Sequence, residues 1–160
     1  MKTEEIGLEF PEGCQLILGQ AHFVKSVEDI YETLVTSMPG IKFGVAFCEA
    51  SGKALVRSDG SDPALVSVAA GLALKLRAGH TFVVLLAGAF PINVLNRLKG
   101  VEEVAGIYCA TANQVTAIVA DIGSGRGILG VVDGVSPKGA ETEADKKERH
   151  EFLRRVGYKR

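Results

Sequence analysis

The stretch from His80 to Ala87 reads His-Thr-Phe-Val-Val-Leu-Leu-Ala, apolar at successive residues rather than at alternate ones. A strand points its side chains to two faces in turn, so such a run is stable only where both faces are covered. It predicts a central strand with packing layers on either side. One covering element is plain downstream of Lys25. Val27, Ile30, Tyr31, Leu34, Val35 and Met38 recur at helical spacing, Ser26 with Asp29 reads as a variant capping box, and Pro39-Gly40 ends the helix.

Alternating residues predict strands over Cys14–Val24 and Ile41–Glu49, then a turn at 50–53 and a short return strand over Ala54–Arg57. Asp62 as N-cap and Pro63 at the first helical position open an apolar helix running to about Ala78. Gly79 stands where a left-handed C-terminal residue is wanted. Phe90-Pro91-Ile92-Asn93 opens a short helix to about Lys99. Strands follow over Val104–Ala110, Gln114–Asp121 and Ile128–Asp133. From Pro137 the composition turns polar, with a charged helix over Glu143–Val156. The order of elements predicts the α/β class: one domain over residues 1–160, with a mixed β-sheet and helices packed on its faces, and 137–160 as a polar C-terminal segment.

Charge narrows the partners. The 18 basic and 19 acidic residues give a formal net charge of −1, which asks for neither nucleic acid nor an anionic membrane. No uncharged apolar run reaches the roughly 20 residues that span a bilayer. Cys14, Cys48 and Cys109 are odd in number and far apart, so we expect free buried thiols in a reducing cytoplasm, with no disulfide framework and no zinc site. The N-terminus carries no signal-peptide pattern.

Three features can carry chemistry. The first is Gly123-Ser124-Gly125-Arg126-Gly127-Ile128-Leu129-Gly130. Its glycines let backbone N–H groups face an anion, and Arg126 can add a bidentate phosphate contact; the same string also makes an ordinary hairpin. A dinucleotide fingerprint needs a helix after the glycines, and strand follows here, so an NAD site is rejected. Ser51-Gly52-Lys53-Ala54 lacks the leading glycine and closing hydroxyl of a Walker A loop, and the protein-kinase motif set is missing. The second feature is His22 and His80, each at the end of a strand, each able to accept a phosphoryl group or act as base. Lys25 adds a positive charge beside His22. The third is a set of polar residues at strand ends: Glu49, Arg57, Asp59, Asn93, Asn96, Thr111, Asn113 and Asp133. Ligands of open α/β sheets gather at such ends, and asparagine both donates to and accepts from a base edge or ribose hydroxyl.

Several ordered strings together resemble the adenosine-specific kinase family. They are Gly19-Gln20-Ala21-His22-Phe23-Val24-Lys25 with Val27-Glu28-Asp29, and Lys42 to Gly52. Then come Phe90 to Asn96, Cys109 to Asn113, Gly125 to Val131 with Asp133-Gly134, and Gly157-Tyr158-Lys159. Gln114 stands where the family pattern has proline after Asn113, and Ser61 where it has asparagine. The resemblance implies an α/β fold that binds adenosine and AMP, a phosphotransferase activity, and a homo-oligomer, trimer or hexamer. Together with the three features above, this makes Gly125, Arg126 and Gly127 the expected phosphate contacts and Asn93, Asn96 and Asn113 the nucleoside contacts, with Lys25, Arg57 and Thr111 at the same ligand site around Arg126. His22 or His80 is expected to be phosphoryl acceptor or base. Glu49, Asp59 or Asp133 is expected to activate the ribose hydroxyl or hold Mg²⁺, with ATP or another phosphoryl donor. Two alternatives stand beside this: an AMP-binding module without turnover, and a structural oligomer without ligand.

Overall fold

A computed structural model describes residues 1–160. The strands are β1 (Lys2–Leu8), β2 (Cys14–Ala21), β3 (Lys42–Cys48), β4 (Val56–Gly60), β5 (Thr81–Ala87), β6 (Val104–Thr111), β7 (Val115–Asp121) and β8 (Arg126–Asp133). The helices are α1 (Ser26–Ser37), α2 (Pro63–Leu76), α3 (Pro91–Lys99) and α4 (Glu143–Arg155). None is long and apolar enough to cross a membrane.

The apolar run is central, as its composition requires. β5 lies in the middle of a five-stranded sheet of order β4-β3-β5-β2-β6. Phe82, Val84 and Leu86 point to one face and join Ile30 and Leu34 of α1 and Val94 and Leu98 of α3. Val83 and Leu85 point to the other and join Leu65, Leu72 and Leu76 of α2. That second layer also takes in Leu8, Val115, Ala117 and Val119 from a three-stranded sheet of order β1-β7-β8. Burying each large side chain on both faces contributes about 1.5–3 kcal/mol, which is why β5 tolerates no polar position between Thr81 and Ala87.

The structure departs from the sequence expectation in several places, beyond shifts at strand ends such as β2 stopping at Ala21 rather than Val24 and β4 running over Val56–Gly60 rather than Ala54–Arg57. The strands form two sheets, and every pairing in both is antiparallel, not mixed. β2 and β3 do run parallel to each other, as a strand–helix–strand crossover requires, but β5 is inserted between them and runs the opposite way. Lys2–Leu8 is an additional strand that closes the small sheet against β7. Ser26 is not the cap of α1: its hydroxyl donates to the Phe23 carbonyl at 2.8 Å, and Lys25 takes the cap position without a side-chain bond to the helix-end amides. Arg77, not Gly79, carries the left-handed turn after α2, at φ 50°. At the start of α2 the expected cap is present, Asp62 accepting from the Ala64 and Leu65 amides at 3.0 and 3.1 Å.

Candidate functional site

Antiparallel pairing sends chain segments distant in sequence to one end of the large sheet. β2 ends there at Ala21, β3 at Cys48 and Glu49, while β4 begins at Val56, β5 at Thr81 and β6 at Val104. His80 knits two of them: its N–H donates to the Cys48 carbonyl at 2.8 Å and its carbonyl accepts from the Ala21 N–H at 2.9 Å. The imidazole lies over the ring of Phe47, with 6.0 Å between centroids and planes 21° apart. Arg57 Nε donates to Glu49 Oε1 at 2.6 Å, and its Nη1 donates to the Val24 carbonyl. The Leu55 N–H donates to Glu49 Oε2 at 3.0 Å. That amide, and then the guanidinium, hold the Glu49 carboxyl below its ordinary range.

Between these groups opens a cleft of about 460 Å³, lined by Phe23, Val24, Lys53 and Ser51 together with Phe47, Glu49, Arg57 and His80. Phe23 is 57% exposed at its rim, and Val24 64%. Backbone strain concentrates here too. The four non-glycine residues of positive φ are Phe23 at 133°, Ala54 at 50°, Arg77 at 50° and His80 at 63°. Phe23 and His80 line the cleft, and Ala54 and Arg77 line the hollow next to it with Glu49. Arg77 is an ordinary left-handed helix end, and Ala54 and His80 belong to tight turns, the Ala54 N–H donating to the Ser51 carbonyl at 3.1 Å and the Thr81 N–H to the Ala78 carbonyl at 3.2 Å; Phe23, at φ 133°, has no such local account. Residues held in sparsely populated conformations cluster where function over-determines the backbone.

The remaining expected residues fall elsewhere. His22 follows Ala21 on the β2–α1 loop, exposed, its N–H donating to the Glu103 carbonyl at 2.9 Å. Lys25 closes that loop but is engaged by Asp29 at 2.7 Å and Glu103 at 2.9 Å, and it faces a second, larger cleft of about 590 Å³ between α1 and the α3–β6 connection. Thr111, Asn113 and Asp133 meet at the opposite end of the large sheet. The Thr111 hydroxyl and the Asn113 amide donate to Asp133 Oδ1 at 2.8 and 3.0 Å, a closed network tying the β6–β7 turn to the end of β8. Asn93 accepts from the Phe90 N–H at 2.9 Å as a helix-start residue, and Asn96 lies exposed one turn on. Asp59, exposed on β4, accepts from the Gly60 N–H at 2.7 Å.

Gly125, Arg126 and Gly127 sit at the β7–β8 hairpin, at the far end of that ladder from Asp133. Arg126 Nη2 donates to Glu4 Oε2 at 2.5 Å, its Nε lies 3.8 Å from Asp121, and the side chain is 12% exposed. The guanidinium is thus occupied in fastening β1 to the hairpin. The one pocket expected around Arg126 is therefore, within a single chain, dispersed: Glu49, Arg57 and His80 share the cleft, while Lys25, Asn93, the Thr111–Asn113–Asp133 network and Arg126 lie apart from it.

No three His, Cys, Asp or Glu side chains converge as metal ligands. Glu49, Asp59 and Asp133, the alternative Mg²⁺ contacts, stand apart from one another, and both Glu49 oxygens accept hydrogen bonds, from Leu55 and Arg57. All three cysteines are free and buried, and burial pushes the thiols of Cys48 and Cys109 up to about 11, away from thiolate chemistry at neutral pH. Sequence reasoning gave no role to Phe23, Phe47, Lys53 or Glu103. Phe23 carried a usable signal, an aromatic residue between a histidine and a helix start. Glu103 carried none, since an acidic residue in a polar connection reads as solvated.

The adenosine specific kinase family matches residues 6–159 of the chain. Among solved structures, the crystal structure of the PH1918 protein from Pyrococcus horikoshii OT3 superposes with a TM-score of 0.96 at 46% sequence identity, covering 99% of this chain and 98% of that one. No curated protein matches.

Proposed function

The chain belongs to the adenosine-specific kinase family, and from that premise we propose that it binds adenosine or AMP in the cleft bounded by Phe23, Lys53, Arg57 and His80. The observation that carries this reading is the pairing, at one sheet end, of an oriented guanidinium with an aromatic surface and an imidazole. Glu49 fixes the plane of Arg57, and two of the five guanidinium N–H donors are engaged, leaving three for a phosphate. Lys53 adds a second positive charge to the same wall. The exposed ring of Phe23 offers a face on which a purine can stack. At about 460 Å³ the cleft is within the range of small-molecule sites.

The activity is phosphoryl transfer to adenosine, with His80 as the acceptor. An imidazole nitrogen attacks the terminal phosphorus of ATP or another donor. An N–P bond forms and the donor's bridging P–O bond breaks. The nucleoside hydroxyl oxygen then attacks that phosphorus, the N–P bond breaks, and the hydroxyl proton leaves to water or to the freed imidazole. Of the three histidines, His80 alone lines the cleft. Mg²⁺ enters, on this reading, with the donor's phosphates rather than from a protein cage. Free, buried thiols support a cytoplasmic setting. A homo-oligomer is supported by α4, which has no buried residue, and by Leu129, Val132 and Val135, exposed on and just after β8.

One observation favours a second reading, an AMP-binding module without turnover. Glu49, the carboxylate of the cleft, is engaged on both oxygens and so is poorly placed as a base. Calorimetric titration with adenosine and AMP, followed by a product assay with ATP and adenosine, separates the readings. Binding with product supports the kinase, binding without product supports the module, and no binding of either ligand overturns both.

A further inference from the structure

The β2–α1 loop, residues Ala21 to Lys25, forms a partition. Phe23 and Val24 face the cleft described above, whereas Lys25 faces the larger cleft on the α1 side. A loop with Phe23 at φ 133° does not hold that shape from local preference, because a bulky residue avoids positive φ. Something must over-determine it, and Glu103 is placed to do so at both ends of the loop. Its carbonyl accepts the His22 N–H at 2.9 Å, and its carboxylate lies 2.9 Å from Lys25 Nζ. The Glu103 side chain is 5% exposed, and neither of its carboxylate oxygens has a well-aligned hydrogen-bond partner. A buried carboxylate without a counter-charge is costly. Lys25 is the cation that neutralises it, since the nearby Arg97 turns away to donate to the Thr36 carbonyl at 2.9 Å. Asp29 holds the other side of the same ammonium at 2.7 Å. These two carboxylates, Asp29 first and Glu103 next, push the Lys25 pKa further above its ordinary value.

We infer that Glu103 is a positioning residue for the nucleoside cleft: through Lys25 and the His22 amide it latches the Ala21–Lys25 loop so that Phe23 stands over the ligand. Lys25 then acts as part of the latch and not as a ligand contact. The inference rests on the cleft being the adenosine or AMP site, as proposed above.

The test is amide hydrogen exchange over residues 20–26, read with melting temperature and AMP affinity, in wild type and in Lys25→Met, Lys25→Arg, Glu103→Gln and the Lys25→Met/Glu103→Gln double variant. Lys25→Met alters a half-exposed side chain, so it reports even where a change at buried Glu103 impairs folding. We expect faster loop exchange and about tenfold weaker AMP binding in both single neutral variants, with Lys25→Arg near wild type. The double variant should recover melting temperature, because no lone buried charge remains, yet recover neither loop protection nor affinity. Wild-type loop exchange in Lys25→Met overturns the latch, and so does a double variant whose affinity returns together with its stability. If wild type binds no AMP, the site assignment fails, and the exchange data still decide the latch.

Discussion

Glu49 Oε1 sits 2.6 Å from Arg57 Nε across the end of the β3–β4 hairpin, and it fixes the guanidinium where the Val24 carbonyl can also be reached. The pair therefore connects the hairpin to the loop after β2, two segments more than 20 residues apart in sequence. Arg57 is 37% exposed, open to a ligand but not free to wander.

Acid should loosen this connection. The Glu49 carboxyl is held below its ordinary value of 4.5, chiefly by the Leu55 amide and then by Arg57. A depressed carboxylate stabilises the fold above its unfolded pKa, and that contribution is lost as pH falls through the folded value. Melting temperature should thus keep the Glu49 contribution from pH 7 down to about 5 and lose it below 4.5. Glu49→Gln should show a smaller fall over the same range, measured by thermal melts at stepped pH.

The two arginines expected from sequence to touch the ligand, Arg126 at its phosphate and Arg57 as a strand-end contact, should separate. Arg57→Met removes a charge-assisted phosphate contact worth about 1.5–3 kcal/mol, or about 10- to 100-fold in AMP affinity, with a smaller effect on adenosine. Arg126→Met should leave AMP affinity unchanged and lower the melting temperature, because it releases Glu4 and with it β1. Calorimetry on the two variants checks both halves.

Incubation with a phosphoryl donor should add the mass of one phosphoryl group to wild type. The adduct should be acid-labile, absent from His80→Ala and retained in His22→Ala, as read by intact mass spectrometry.

Packing between α2 and β3 leads to paired glycine substitutions of opposite sign. A Cβ on Gly44 would lie 2.3 Å from the Leu65 carbonyl carbon and 2.4 Å from the Val66 nitrogen, both backbone atoms of α2. The helix must shift, so Gly44→Ala should cost about 1–3 kcal/mol. Gly71, inside α2, has nothing within 4 Å of a built Cβ. Gly71→Ala should stabilise by about 0.8–1 kcal/mol through helix propensity. Urea denaturation of the two variants measures the difference.

What the sequence discloses follows from range. The position of β5 was readable because a doubly covered strand writes its burial into consecutive residues, and α2 because Asp62-Pro63 is a local start signal. Strand direction was not, since it depends on β5 entering between β2 and β3 from far downstream. β1 was missed because only Ile6 and Leu8 of its seven residues carry an inward apolar side chain. The site divides the same way. His80, Glu49 and Arg57 were identified as polar residues at strand ends, and antiparallel pairing brings them together. Arg126 looked equally suitable, because a glycine turn beside an arginine reads alike as an anion loop or a hairpin. Glu4, more than a hundred residues earlier, is the partner that occupies it.

Crystals of the protein grown with AMP give the most direct measurement. The purine is predicted against Phe23, with the phosphate within hydrogen-bonding reach of Arg57 and Lys53 and the ribose toward His80. AMP seated instead beside Asn113 and Asp133, or on the Gly125–Gly127 turn with the Arg126–Glu4 pair opened, would contradict the account.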